Sequence, residues 1–395
     1  MMVFLAVLTI PLAVAPELGR THRQLASWLF ALYAGPGLLG LWLAVRHRQP
    51  LVLTGNVFAI ILIASVADQD TFSDLAGAAI LAGAVVVVLG LTGLSGLLSR
   101  LVPPPIVVGV LAGAVLPFVV RLFNAMGQDP IVVGSAFVAY LAARARLRAV
   151  TPLLPALVGG IAAAVLTGHL GAPPTLEPPG LELTLPTFSL TTIVSITPVL
   201  VAITVLQANV PSMVFLRSQG YEPPAREIDV TSGVGTIALS LLGPTAVSIP
   251  LPIMPLVAGP QCGAWDRRFR VALAATIALV TIGVFGGVAA SLVTWLPAAL
   301  VLALAGLALA GVLAPALGQV TAGPLIWGPL FAFVVVQSNL TLVGLGSYFW
   351  ALVIGVAVSA VVERDQLRAF NAVARPTAHG EPDPGPSATP STERS

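Results

Sequence analysis

Apolar residues in this chain fall into long blocks separated by short polar or proline-rich stretches. Fourteen blocks can be drawn, at 2–16, 24–45, 51–66, 73–98, 102–120, 130–143, 151–168, 189–215, 230–242, 244–259, 270–292, 296–314, 323–337 and 341–362. Most approach the ~20 residues that a helix needs to cross a bilayer. The alternation of a membrane β-barrel is absent. The pattern therefore predicts an all-α polytopic membrane protein. Segments 1, 3, 6, 9 and 10 are short for straight spans. Short segments are expected where half-helices or extended pieces lead into a site.

Composition supports this reading. Hydrophobic residues make up 57% of the 395 and charged residues 9%, a depletion that excludes a soluble globular domain. The net charge of +2 comes with no basic patch, so nucleic acid is not an expected partner. The lone Cys262 excludes an internal disulfide. The four histidines, His22, His47, His169 and His379, fall in loops, at a span edge or in the tail and lack metal-ligand spacing, so no metal or other cofactor is expected. No nucleophile with a His or acidic partner stands at membrane depth, which argues against an enzyme.

Arginine distribution orients the chain. With a cytoplasmic N-terminus, the inside loops and tail collect Arg46, Arg48, Arg100, Arg144, Arg146, Arg148, Arg217, Arg226, Arg267, Arg268, Arg270, Arg364, Arg368, Arg375 and Arg394. The outside loops collect Arg20, Arg23 and Arg121. This asymmetry predicts an even number of spans and cytoplasmic termini. The sequence divides into a first repeat of seven segments (1–168), an extracytoplasmic linker (169–188), a second repeat of seven (189–362), and a polar tail (363–395) expected to be disordered. Segments 5 and 12 both open on proline and continue to Leu-Ala-Gly, at Leu111-Ala112-Gly113 and Leu304-Ala305-Gly306. Segments 1 and 8 are each interrupted by two prolines, and segments 3 and 10 by Thr54-Gly55-Asn56 and Gly243-Pro244-Thr245. An odd number of spans per repeat makes the repeats inverted. Interrupted segments at matching positions of such halves point to a transporter site.

The chemistry centres on Leu206-Gln207-Ala208-Asn209-Val210-Pro211. Pro211 removes a backbone donor and crowds the carbonyl four residues back, so helix 8 should bend or open there. Gln207 and Asn209 then either face a solute or join neighbouring helices around an ordinary kink.

Three stretches carry a family resemblance: Ser338-Asn339-Leu340-Thr341-Leu342-Val343-Gly344-Leu345-Gly346-Ser347-Tyr348-Phe349-Trp350; Gln207 to Pro211 followed by Leu216-Arg217-Ser218-Gln219-Gly220-Tyr221; and Leu91-Thr92-Gly93-Leu94 through Leu111-Ala112-Gly113. With these in view the chain resembles the benzoate:proton symporter (BenE) family of bacterial inner-membrane proteins. The resemblance implies the uracil-permease-like fold of seven-plus-seven inverted repeats. Segments 1–4 and 8–11 would form a core domain, and segments 5–7 and 12–14 a gate domain that also supports a homodimer. The solute would lie between extended pieces of segments 3 and 10. That implies substrate-binding roles for Asn56, Phe58, Gln207, Asn209, Thr245 and Ser248. Related nucleobase permeases couple protons through carboxylates in segments 8 and 10, and these segments here contain no Asp, Glu or His. All acidic residues fall in or beside loops; Glu17, after Pro16, is the candidate for ion coupling, against its reading as an ordinary loop carboxylate. The expectation is a secondary transporter of a small organic acid such as benzoate. The alternatives are a nucleobase or inorganic-anion carrier of the same fold, or a channel or non-transporting scaffold.

Overall fold

A computed structural model describes residue 11 and residues 21–146, 151–171 and 180–373. The rest of segment 1 with Glu17, residues 147–150, residues 172–179 of the linker, and the tail from residue 374 lie outside the described residues.

Helix α1 (His22–His47) opens on a capping box in which Thr21 and Gln24 exchange side-chain and backbone bonds. It contains a π-helical turn at Phe30–Ala34. Strand β1 (Thr54–Gly55) leads into α2 (Val57–Ser65), then α3 (Phe72–Thr92) and the short α4 (Ser95–Leu101). Helices α5 (Pro104–Gln128), α6 (Pro130–Arg146) and α7 (Leu153–Thr167) complete the first half. The second half begins with α8 (Leu190–Ser218), then α9 (Ala225–Leu239), strand β2 (Val247–Ser248) and α10 (Met254–Ala258). It ends with α11 (Arg268–Val284), α12 (Gly286–Trp295), α13 (Ala298–Ala322), α14 (Trp327–Gln337), α15 (Ser347–Val362) and α16 (Arg364–Val373). Each hydrophobic segment from the second onward thus contains at least one described element. Among the described residues five helices, α1, α3, α5, α8 and α13, are long and apolar enough to cross a membrane on length and composition.

Several boundaries differ from the sequence reading. The expected segment 73–98 breaks at Gly93, whose φ of 71° ends α3 in a left-handed cap. Segment 270–292 divides between α11 and α12 at Phe285. In segment 341–362 the helix starts only at Ser347, after an isolated bridge between Leu342 and Leu345. The predicted disordered tail needs correction at its start. Arg364–Val373 is helical, turned 103° from α15, because Glu363 accepts hydrogen bonds from the first turn of α14 and fixes the corner. Helix α8 runs on through Pro211 and opens only ahead of it. The preceding turn widens into a π-helix over Ile203–Asn209, and Pro211 falls in the first turn of the α-helix that follows. The wide turn accommodates the carbonyl that a proline leaves without its usual donor. Trp28 is 1% exposed and donates its indole N–H to the Pro244 carbonyl at 2.8 Å.

Packing joins the halves. Helix α5 lies along α13, α3 along α9, and α14 against both α5 and α15. One apolar cluster runs through α1, α2, α3, α8 and the β2 region into α5, α14 and α15. A second gathers the end of α5 with α6, α7 and the first half of α13. The described part of the linker is fastened. Ser27 Oγ accepts from Glu182 N at 2.6 Å, and Thr187 Oγ1 donates to Asp74 at 2.6 Å.

Candidate solute site at the paired strands

Strands β1 and β2 pair antiparallel, with Thr54 opposite Ser248 and Gly55 opposite Val247. Both are two residues long because the flanking sequence forbids continuation. Pro244, Pro250, Pro252 and Pro255 remove donors around β2. Gly55 has no room for a Cβ, which would lie 2.9 Å from the Leu32 carbonyl oxygen. Backbone groups inside an apolar body need partners. Here side chains of the surrounding helices supply them. Thr236 Oγ1 on α9 accepts from Val247 N at 2.8 Å. Asn209 Oδ1 on α8 accepts from Ile249 N at 3.0 Å, and Ser212 Oγ donates to Ile249 O at 3.0 Å. Asn56 N donates to Ala246 O at 2.7 Å.

The structure brings five of the predicted residues, Asn56, Phe58, Asn209, Thr245 and Ser248, together around this pair, but divides their roles. Asn56 donates to Ser248 Oγ at 3.0 Å and caps α2, its Oδ1 accepting from Phe58 N at 2.9 Å and Ala59 N at 3.3 Å. Its carbonyl accepts from Ile60 N. Of the four first-turn amides of α2, Asn56 therefore takes three, which leaves little of that helix end for an anion. Asn209 is fully buried and donates through Nδ2 to Asp229 Oδ1 at 2.9 Å and Ser232 Oγ at 3.2 Å. Its amide is a joint between α8, α9 and β2, the second of the two roles the sequence left open. Phe58 and Gln207 are half-buried, and the elements that carry them, α2 and the π-helical turn of α8, both meet helix α5. Gln207 Oε1 is buried without a hydrogen-bond partner, as is Thr245 Oγ1. An orphaned amide oxygen in an apolar setting is costly. Rotating the amide would present N–H to a carboxylate at the same place. A cavity of about 170 Å³ opens further along α2, between Ser65, Asp68 and Gln69 on one side and Arg121, Gln337 and Tyr348 on the other.

Sequence reasoning missed Asp229. Counted as lying beside a loop, it stands inside α9, 2% exposed, and accepts from Ser95 Oγ at 2.6 Å as well as from Asn209. The signal was present: Ile228-Asp229-Val230 runs straight into an apolar helix. Among the described residues no group of His, Cys, Asp and Glu is arranged to hold a metal.

Long apolar helices, broken segments meeting at a strand pair, and buried polar side chains serving that pair define a polytopic membrane transporter fold. The fold matches the transmembrane domain of a cyanobacterium bicarbonate transporter, BicA, with a TM-score of 0.54 at 15% identity, covering 92% of this chain and 97% of that one. The chain belongs to the BenE family, described as benzoate membrane transport protein, whose profile matches residues 2–361. It is 27% identical to the inner membrane protein YdcO of Escherichia coli over 88% of this chain and 90% of that protein. It is 26% identical to the benzoate membrane transport protein of Acinetobacter baylyi over 85% of each.

Proposed function

We propose that the chain is a secondary active transporter of a small aromatic carboxylate of the benzoate class, driven by a proton gradient. The observation that carries this reading is the unpartnered Gln207 oxygen on the π-helical turn of α8, an element that meets β2, α2 and helix α5. An amide can bind a carboxylate, and a half-buried phenyl ring offers an apolar face to an aromatic one. Asn56, Asn209, Thr245 and Ser248 then shape the site by holding β1 and β2, with Asn56 and Ser248 closest to the strand ends. The reading includes fourteen membrane segments in two inverted repeats of seven, both termini cytoplasmic. It also includes a core domain that moves against a gate domain built on α5–α7 and α13–α15, through which two copies pair. The family relation to a benzoate transport protein supports the substrate class. The mixed use of backbone amides at α2 shifts the anion's binding toward Gln207.

Binding to the purified protein tests the site. Benzoate should bind more tightly than benzamide and more tightly than bicarbonate. Gln207→Ala should weaken benzoate binding roughly ten- to a hundredfold, the loss of about 1.5–3 kcal/mol expected for one hydrogen bond to a charged group. Equal binding of benzoate and benzamide would remove the carboxylate from the proposal. Conductance without counterflow in proteoliposomes would make the protein a channel.

A further inference from the structure

The sequence offers no carboxylate in segments 8 and 10, and the fold supplies one from α9 instead. Asp229 is buried 2% exposed at the crossing of α9 with α3, where a Cβ on Gly90 would stand 2.8 Å from the Asp229 Cβ. Its two oxygens accept from Ser95 Oγ at 2.6 Å and Asn209 Nδ2 at 2.9 Å, both neutral donors. The charged neighbours are accounted for element by element. On α9, Arg226 is exposed, and Glu227 bonds to Arg46 and His47 of α1 at 3.1 and 2.8 Å. On α3 the sole charged residue is Asp74, in the first turn far from Gly90. On α8 it is the exposed Arg217, and β2 has none. On α4 Arg100 follows Ser95 by five residues. No ion pair to Asp229 occurs among the described residues.

A buried carboxylate held by neutral donors is costly when charged and is relieved by a proton. The donor set also says which cation fits. Asn209 Oδ1 is fixed by the Ile249 N–H, so the amide must turn its NH2 toward Asp229. A metal ion there would meet N–H hydrogens in place of an oxygen lone pair. A proton needs one acceptor position. It bonds to Oδ2, and the Ser95 hydroxyl turns from donor to acceptor at the same distance.

We propose that Asp229 is the proton-binding residue of the transport cycle, linked to the solute site through Asn209 and β2. With Asp229 ionised, Asn209 is held by a charge-assisted bond and in turn holds Ile249. Protonation reduces that bond to a neutral one, which is about half as strong, and loosens the clamp on the strand beside the solute. This coupling rests on the transport reading above; proton binding by Asp229 does not.

The test therefore has two arms. Infrared spectra of the purified protein across pH, without solute, should show the C=O stretch of a protonated buried carboxyl. That band should vanish in Asp229→Asn and persist in Arg100→Gln. In Ser95→Ala it should titrate at higher pH, because a donor to the charged form is gone. In proteoliposomes, Asp229→Asn should keep benzoate counterflow and lose accumulation driven by an inward proton gradient. A spectrum unchanged by Asp229→Asn overturns the proton site. Accumulation by Asp229→Asn equal to the parent's, or accumulation that follows a sodium gradient in place of the proton gradient, overturns its role in coupling. A parent protein that moves no aromatic acid overturns the transport reading, and the infrared arm still decides the proton site.

Discussion

Single polar side chains in this protein do work that water does elsewhere. Glu363 shows it outside the membrane segments. Its carboxylate accepts from the backbone N–H groups of Ile326, Trp327 and Gly328 and from Ser359 Oγ, closing the N-terminus of α14. Burial pushes the carboxyl up, and those amides and the hydroxyl together pull it further down, so it rests below the ordinary glutamate value. A depressed folded value means that Glu363 stabilises the fold above the unfolded glutamate pKa of about 4.3. That contribution is lost as pH falls through the lower, folded value. Glu363→Gln should cost about 1–3 kcal/mol at neutral pH, because buried amides lose their anionic acceptor. Thermal unfolding in detergent should show the gap between parent and variant closing as pH drops below about 4. A gap unchanged at acid pH would mean that the carboxylate charge contributes nothing. This cap was hidden in the sequence, since Glu363 lies next to Arg364 and reads as the first residue of a polar tail. Asn209 was legible as special from its place before Pro211, yet not in its role. Whether an amide faces a solute or a neighbouring aspartate depends on a residue twenty positions away.

At the scale of elements, hydropathy revealed most of the helices, and the family resemblance implied that segments 3 and 10 would be extended. The breaks at Gly93 and Phe285 were hidden, because apolar residues continue across them and lipid-facing and buried positions look alike in composition. Helix contacts were equally hidden. Helix α3 crosses α9 at Gly83 and Gly233, where a Cβ on either would lie 2.7 or 2.6 Å from the other's carbonyl oxygen. Small residues let membrane helices approach this closely, and the crossing sets Asp229 against α3. Gly83→Ala should destabilise by about 1–3 kcal/mol through overpacking against backbone that cannot rotate away. Gly311→Ala in α13, where nothing lies within 4 Å, should be neutral or stabilise by up to about 1 kcal/mol through helix propensity. Thermal unfolding of the two variants side by side checks this. Similar effects would show that the α3–α9 crossing is more compliant than its distances imply.

For the whole molecule, the proposed cycle requires the core to move against the gate, and one contact tests it directly. Ser195 on α8 accepts from Gly346 N at 3.0 Å, at the cap of α15. A Cβ built at Gly346 would stand 3.9 Å from the Ser195 oxygen. That approach brings the two positions within reach of one another for a disulfide once the side chains adjust. The φ of −74° at Gly346 suits any residue. Ser195→Cys with Gly346→Cys, in a Cys262→Ala background, should form a disulfide under mild oxidation. Because α8 belongs to the proposed core and α15 to the proposed gate, the oxidised protein should lose benzoate counterflow. It should keep binding from whichever side the locked state leaves open. Reduction should restore transport, which separates locking from damage by the substitutions themselves. Full transport in the cross-linked protein would mean that these two helices travel together, and the moving boundary would have to be sought elsewhere in the fold.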